Sequence, residues 1–199
     1  MSPILGIYAS QISGHLWAPS GAYDSIATTT VGAGGASSVT FSSIPQGYTH
    51  LQLRMIARTD RAVAFASSIY GQFNGDTTAS NYYEVHGLYG DGSSAGAFGF
   101  DGGAVGGCFV GLHQGANGTA NAFAVSVTDI LDYSNTTKNK TIRSLNGNEL
   151  NSNNTNSAIN FYSSLWMNTA AISSINLIAY HGNTFVQNTQ FALYGIKGN

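Results

Sequence analysis

Apolar and polar positions alternate with a period of two along most of the chain, and no segment sustains the 3.6-residue period of a helix. The clearest case is residues 50–58. Leu51, Leu53, Met55 and Ala57 share one side of an extended strand, and His50, Gln52, Arg54, Ile56 and Arg58 share the other. One face of this strand is core, and the face with the arginines is wet or in an interface. Residues 190–198 read differently, because Phe191, Leu193 and Gly195 point one way while Ala192, Tyr194 and Ile196 point the other. With apolar or small side chains on both faces, this strand wants cover on both sides. It holds only between strands laid down much earlier in sequence.

The same pattern predicts strands over 23–31 and 37–44, read as a first hairpin across Gly32-Ala33-Gly34-Gly35. Further strands are expected over 67–73, 82–89, 109–112, 122–131, 138–145, 159–165 and 172–178. Phe123, Val125 and Val127 mark the expected buried face of the strand over 122–131. Asn74-Gly75-Asp76 is a strong turn signal, since Asn and Gly tolerate positive φ. The glycine-rich span 90–107 reads as a long loop or a loosely paired hairpin, with Phe98 and Phe100 at an exposed tip. About nine to twelve strands separated by regular turn signals predict one all-β domain over 23–199, an antiparallel β-sandwich of jelly-roll-like type. Residues 1–22 form an extended N-terminal arm in this reading. Pro3, Gly6, Gly14, Pro19 and Gly21 exclude a helix there, while Ile4, Leu5, Ile7, Tyr8, Leu16 and Trp17 are too apolar to float in water and require a docking surface.

Composition sharpens the picture. Charged residues make up 8% of the 199-residue chain, about a third of the usual ~25%. A surface with so few charges has little to oppose association, so an oligomer or a component of a larger assembly is expected. The net charge of −2 lacks the basic footprint of a nucleic-acid binder. The small groups Arg54/Arg58/Arg61 and Lys138/Lys140/Arg143 are expected on solvated strand faces or at subunit contacts. The start of the chain lacks the basic and long apolar regions of a signal peptide, and no run reaches the ~20 apolar residues of a membrane helix. Synthesis in a cytoplasm without membrane insertion is expected. The lone Cys108 excludes a disulfide framework and reads as a small core residue.

Candidate chemistry is thin. Gly92-Ser93-Ser94-Ala95-Gly96 fits the pattern G-x-S-x-G, yet no helix is expected after the serine, as a nucleophile elbow requires. The five histidines show no metal-ligand spacing. Asp129 and Asp132, three apart on a strand, face opposite sides and cannot work as paired acid and base; turn capping and pairing with an arginine are expected. No catalytic residue, metal or cofactor is expected. A different candidate is a carbohydrate-binding receptor surface. Tyr70, Tyr82, Tyr83, Tyr89, Phe98 and Phe100 would supply the stacking rings.

Four stretches carry a family resemblance. They are Ser2-Pro3-Ile4-Leu5-Gly6-Ile7 with Ala9-Ser10-Gln11, Asp129-Ile130-Leu131-Asp132-Tyr133 with Asn139-Lys140-Thr141, Leu165-Trp166-Met167-Asn168-Thr169-Ala170-Ala171-Ile172, and Phe191-Ala192-Leu193-Tyr194-Gly195-Ile196-Lys197-Gly198. Together they resemble small virion structural proteins of tailed bacteriophages, as tail, fibre-like or capsid-decorating modules. The resemblance runs nearly end to end, is strongest after Phe123, and brings no catalytic residue with it. It implies a place on a virion, assembly through the arm with other capsid or tail proteins, a homo-oligomer with a trimer favoured, and a role in host attachment if a surface glycan is bound.

Overall fold

A computed structural model describes residues 22–62, 66–100, 106–150 and 157–198. The arm expected over 1–22 lies, apart from Ala22, outside the described residues. Among those described, twelve strands form two antiparallel sheets packed face to face, an all-β sandwich. The large sheet holds β1 (Tyr23–Thr30), β12 (Gln190–Ile196), β3 (His50–Ala57), β8 (Ala124–Ile130), β9 (Lys140–Asn148), β10 (Ala158–Trp166), β5 (Tyr82–Gly90) and β6 (Ala95–Phe100), in that spatial order. The small sheet runs β2 (Ser38–Phe41), β11 (Ile175–Ala179), β4 (Ala66–Phe73) and β7 (Cys108–Gln114). A division into eight and four strands departs from the eight-stranded, double Greek-key plan of a jelly roll.

The last strand sits where its pattern requires. β12 pairs with β1 on one side and β3 on the other, its earliest neighbours in sequence, with Leu193 opposite both Ala27 and Leu53. Phe191 and Leu193 are fully buried, and they join Leu51, Leu53, Met55, Phe73, Ile175 and Leu177 in the main core between the sheets. The alternation of β3 is reproduced: Leu51, Leu53, Met55 and Ala57 are interior, while Arg54 and Ile56 are exposed.

The expected first hairpin does not form. β1 belongs to the large sheet and β2 to the small one, because the glycine-rich link pairs instead with residues 185–189: Val31 N–H donates to Thr189 O at 2.8 Å and Ala36 N–H to Phe185 O at 3.0 Å. The link is a crossing between sheets rather than a hairpin turn. Asn74 and Gly75 do adopt positive φ (54° and 70°), with Asp76 N–H closing on Phe73 O at 2.9 Å. This turn likewise sends the chain from the small sheet to the large one. The span expected as a loop or loose hairpin holds the β5–β6 turn and β6, which pairs back onto β5, with residues 101–105 outside the described part.

β7 governs how the sheets meet. It is the outermost strand of the small sheet, yet all seven of its residues are buried, because it lies over β8, β9 and β10 of the large sheet. Its pairing with β4 uses only one edge, and an unpaired buried backbone edge is costly. Hydroxyl side chains of the large sheet supply the missing partners. Thr128 Oγ1 donates to Val110 O, Leu112 N–H donates to Ser126 Oγ at 2.9 Å, and Ser164 Oγ reaches Phe109 O at 3.5 Å. Val110 is the extra residue of a bulge, since Ile69 faces Gly111 while Tyr70 faces Phe109, so its carbonyl has no place in the ladder. Contact is close enough that a Cβ on Gly111 would come within 2.6 Å of Met55 Cε and 3.1 Å of Ser126 Oγ.

This close approach reverses the expected facing of β8. Ala124, Ser126, Thr128 and Ile130 point inward, and Val125 and Val127 are 52% and 36% exposed. Small and hydroxyl side chains are what β7 can accept, so the bulky valines take the outer face. Replacing Thr128 by Val, which keeps the shape but leaves the Val110 carbonyl unpaired, is expected to lower unfolding stability by about 1–3 kcal/mol, measured by urea denaturation; an unchanged midpoint would show that the hydroxyl does not hold β7.

Candidate functional site

The inversion seen in β8 continues across the next strands. Cross-strand register places Val127 opposite Leu145, Leu145 opposite Phe161, Phe161 opposite Leu88, and Leu88 opposite Ala97, one row spanning β8, β9, β10, β5 and β6. In the next row Val125 and Ile159 flank Gly147. Leu145 is 56% exposed, Leu88 58%, Ile159 60% and Phe161 42%. Beneath them the inward side chains Ser126, Thr128, Ser144, Asn146 and Ser164 are buried. Over these strands the large sheet therefore has its apolar side outward and much of its polar side inward. Isolated exposed hydrophobics are ordinary; here they stand side by side on five neighbouring strands.

Two shallow grooves lie on this face at its β5 end. One, of about 250 Å³, is lined by His86, Leu88, Ala97, Phe98, Phe161 and Ser163; the other, of about 390 Å³, by Leu88, Tyr89, Gly90, Gly92, Ile159 and Phe161. They adjoin across Leu88 and Phe161.

A polar row bounds the stripe. Gln52, Asp129, Arg143, Ser163 and His86 follow one another across β3, β8, β9, β10 and β5. Arg54 Nε donates to Gln52 Oε1 at 2.9 Å, and Gln52 Nε2 donates to Asp129 Oδ1 at 2.9 Å. The Arg54 guanidinium also lies over the rings of Tyr194 and Tyr23, 5.2 and 5.8 Å from their centroids. Asp129 is thus tied to an arginine through Gln52, while Asp132 pairs with Lys138 Nζ at 2.8 Å. The Lys138 ammonium holds the Asp132 carboxyl below the usual carboxylate range, against a smaller opposing effect of burial.

The six rings proposed for stacking do not form one surface. Tyr89, Phe98 and Tyr70 belong to a chain of ring contacts that passes through Tyr162 and Phe109 and ends at Tyr180, with centroid spacings between 4.3 and 6.3 Å. Its middle is interior: Tyr70, Phe109 and Tyr162 are at most 6% exposed. Burial pushes the Tyr70 phenol well up and the Tyr162 phenol up to about 12, so these rings stay neutral. Phe98 does not sit at a tip. It covers Gly87, where a Cβ would come within 2.3 Å of the ring. Tyr82 is interior as well, at 1% exposed; its hydroxyl donates to Asp76 O at 2.7 Å and accepts from Phe73 N–H at 3.1 Å. Tyr70 and Tyr82 are therefore core residues and not contact rings, because each faces the second layer rather than solvent. Tyr89, 38% exposed beside the larger groove, remains on the surface. The side chains of Tyr83 and Phe100 lie outside the described part.

Other sequence candidates are absorbed by the fold. Ser93 and Ser94 form the β5–β6 turn, where the Asp91 carboxylate accepts both backbone N–H groups at 2.9 and 2.7 Å and the Ser94 hydroxyl at 3.0 Å. A strand, β6, follows rather than a helix. Lys140, grouped by sequence with surface cations, is fully buried, and its Nζ donates to the carbonyls of Asn135, Lys138 and Thr169 at 2.7, 2.7 and 3.0 Å. Burial lowers its pKa, opposed by the nearby Asp132 carboxylate. Arg58 spans the β7–β8 connection, donating to the carbonyls of Ala122 and Thr119 at 2.7 and 2.8 Å. Two of the seven basic residues thus hold backbone carbonyls. Among the described residues no group of three His, Cys, Asp or Glu side chains is placed to share a metal ion.

His113 is fully buried, with Nδ1 2.9 Å from Thr59 Oγ1. Burial pushes its pKa down to about 4; the Arg61 cation adds to this, and a backbone hydrogen bond with Gln114 and the Asp60 carboxylate oppose it. Because the unfolded chain takes up the proton near 6.5 and the folded one only near 4, this group costs stability progressively as pH falls through that window. The loss is expected to reach about 3 kcal/mol at pH 4, read from urea midpoints between pH 7 and 4. His113→Asn should flatten that limb, and an equally steep limb in the variant would assign it elsewhere.

Comparison with protein-family models, curated proteins and solved structures finds no match for this chain.

Proposed function

We propose that the protein is a structural component of a tailed bacteriophage virion, an exterior β-sandwich module of the tail or capsid that works by contact with other subunits and with copies of itself. The observation that carries the assembly reading is the apolar outer face of β8, β9, β10 and β5, where side chains that could have filled a core stand in water instead. Exposing Leu88, Leu145, Ile159 and Phe161 gains nothing for an isolated domain, and covering them gains roughly 1.5–3 kcal/mol per fully buried side chain. A charged fraction of 8% supports the same reading. The virion assignment is supported by the resemblance of the four stretches quoted above. The arm, with Ile4, Leu5, Ile7, Tyr8, Leu16 and Trp17, is the proposed attachment element, and a closed homo-oligomer such as a trimer is the proposed form.

A second reading, recognition of a host-surface carbohydrate, is favoured by one observation, the exposed Tyr89 ring at the rim of the larger groove. It can coexist with the first.

Antibody labelling of purified virions by electron microscopy is expected to place the chain on the tail or the capsid surface, and its absence from particles would refute the assignment. Deleting residues 2–20 should leave a folded domain whose incorporation falls at least tenfold; normal incorporation would show that the arm is not the anchor. On a glycan array, Tyr89→Ala should abolish any binding the unmodified chain shows, and undiminished binding would remove this site as the receptor contact.

A further inference from the structure

The stripe on the large sheet is narrow, and its shape selects what can cover it. At about 4.8 Å between strands, the row Val127, Leu145, Phe161 and Leu88 and its continuation onto β6 is about 19 Å long, and two such rows are about 12 Å wide. That is far below the ~800 Å² each partner contributes to a stable globular interface. Two sandwiches pressed face to face through this stripe would be held weakly. One extended segment of about six residues, at ~3.3 Å per residue, matches it in length and width.

The chain has such a segment. Residues 4–8, Ile4-Leu5-Gly6-Ile7-Tyr8, are five residues with four large apolar side chains, and residues 1–21 contain no Asp, Glu, Lys or Arg. Covering the stripe with them therefore desolvates no charge. Their distance from the first strand lets them reach a neighbouring copy. Tyr8 precedes Tyr23 by fifteen residues, about 50 Å of extended chain, whereas the far edge of the sheet at β6 is seven strand spacings from β1, about 34 Å. That length is enough to span beyond one sheet and onto another copy.

We propose that residues 4–8 of one copy lie on the stripe formed by Val125, Val127, Leu145, Ile159, Phe161 and Leu88 of a neighbouring copy. This rests on the assembly reading above and names the surface on which the arm docks. The contact is heterologous, arm to sheet face, the kind that builds a ring when its rotation closes.

The test uses the full chain in two single variants, Leu5→Cys and Leu145→Cys, with the native Cys108 only 1% exposed and so silent to a short bis-maleimide cross-linker. In an equimolar mixture, peptide mass spectrometry is expected to find residue 5 joined to residue 145 in the band of doubled mass. Adding Phe161→Asp and Leu88→Asp to the Leu145→Cys chain should lower that yield at least tenfold, with circular dichroism showing a retained β signal. In a chain carrying both Leu5→Cys and Leu145→Cys, a 5–145 link found only within single chains at high dilution would overturn the proposal in favour of a self-docked arm. If the chain associates and enters particles without a 5–145 link, the proposal fails while the assembly reading stands. A chain that is monomeric in solution and absent from particles would sink both.

Discussion

The hydroxyl groups that fasten the free edge of β7 to the large sheet are the constraint from which the rest of this molecule follows. An edge strand buried inside a sandwich leaves N–H and C=O groups with no ladder to join, and such groups must be paired. Thr128, Ser126 and Ser164 pair them, and only side chains this short let β7 come near enough for the bonds to form. Where β7 lies over them, the inner face of β8, β9 and β10 consequently carries Ser126, Thr128, Ser144, Asn146 and Ser164. Since side chains alternate along a strand, their neighbours Val125, Val127, Leu145 and Phe161 are turned outward.

That outward face is where fold and function meet. An ordinary two-layer sandwich keeps its bulky aliphatic residues between the sheets and its polar ones in water. Here the half of the large sheet nearest β1 follows that rule, with Arg54 lying over Tyr23 and Tyr194 and tied through Gln52 to Asp129, whereas the half from β8 to β6 breaks it. The two halves share one continuous backbone ladder, so the contrast lies in the side chains alone. Sparse charge removes the repulsion that would keep such surfaces apart. The domain has a closed apolar core and, on this half, an apolar outer surface, the observation on which the proposed assembly role rests.

Several elements were legible from the chain alone because local pattern and tertiary role coincide. β3 has one wet face, so its alternation names its core residues; β12 is apolar on both faces and lies between two early strands. What escaped depends on partners far away in sequence. Alternation identifies a strand but not which face is inside, and Val125 and Val127 look like core until Val110 and Gly111 are seen against Thr128 and Ser126. Glycine-rich links look alike whether they close a hairpin or cross between sheets, which is why β1 and β2 separate. Tyr70 and Tyr82 resemble Tyr89 in sequence and differ only in what the second layer places over them. Lys140 was indistinguishable from a surface lysine because three carbonyls, from Asn135, Lys138 and Thr169, create its site. The one available signal for the stripe was the alternation of bulky residues with hydroxyl residues in Val125-Ser126-Val127-Thr128.

The central claim is that the outer face of β8, β9, β10 and β5 is an assembly surface, and sedimentation velocity on the full chain tests it most directly. The account predicts that the unmodified chain sediments as a concentration-dependent oligomer, while a chain carrying Leu145→Lys and Phe161→Lys, equally folded, sediments as a monomer. A monomer in both cases at high concentration, or an oligomer unaffected by the two lysines, would contradict it.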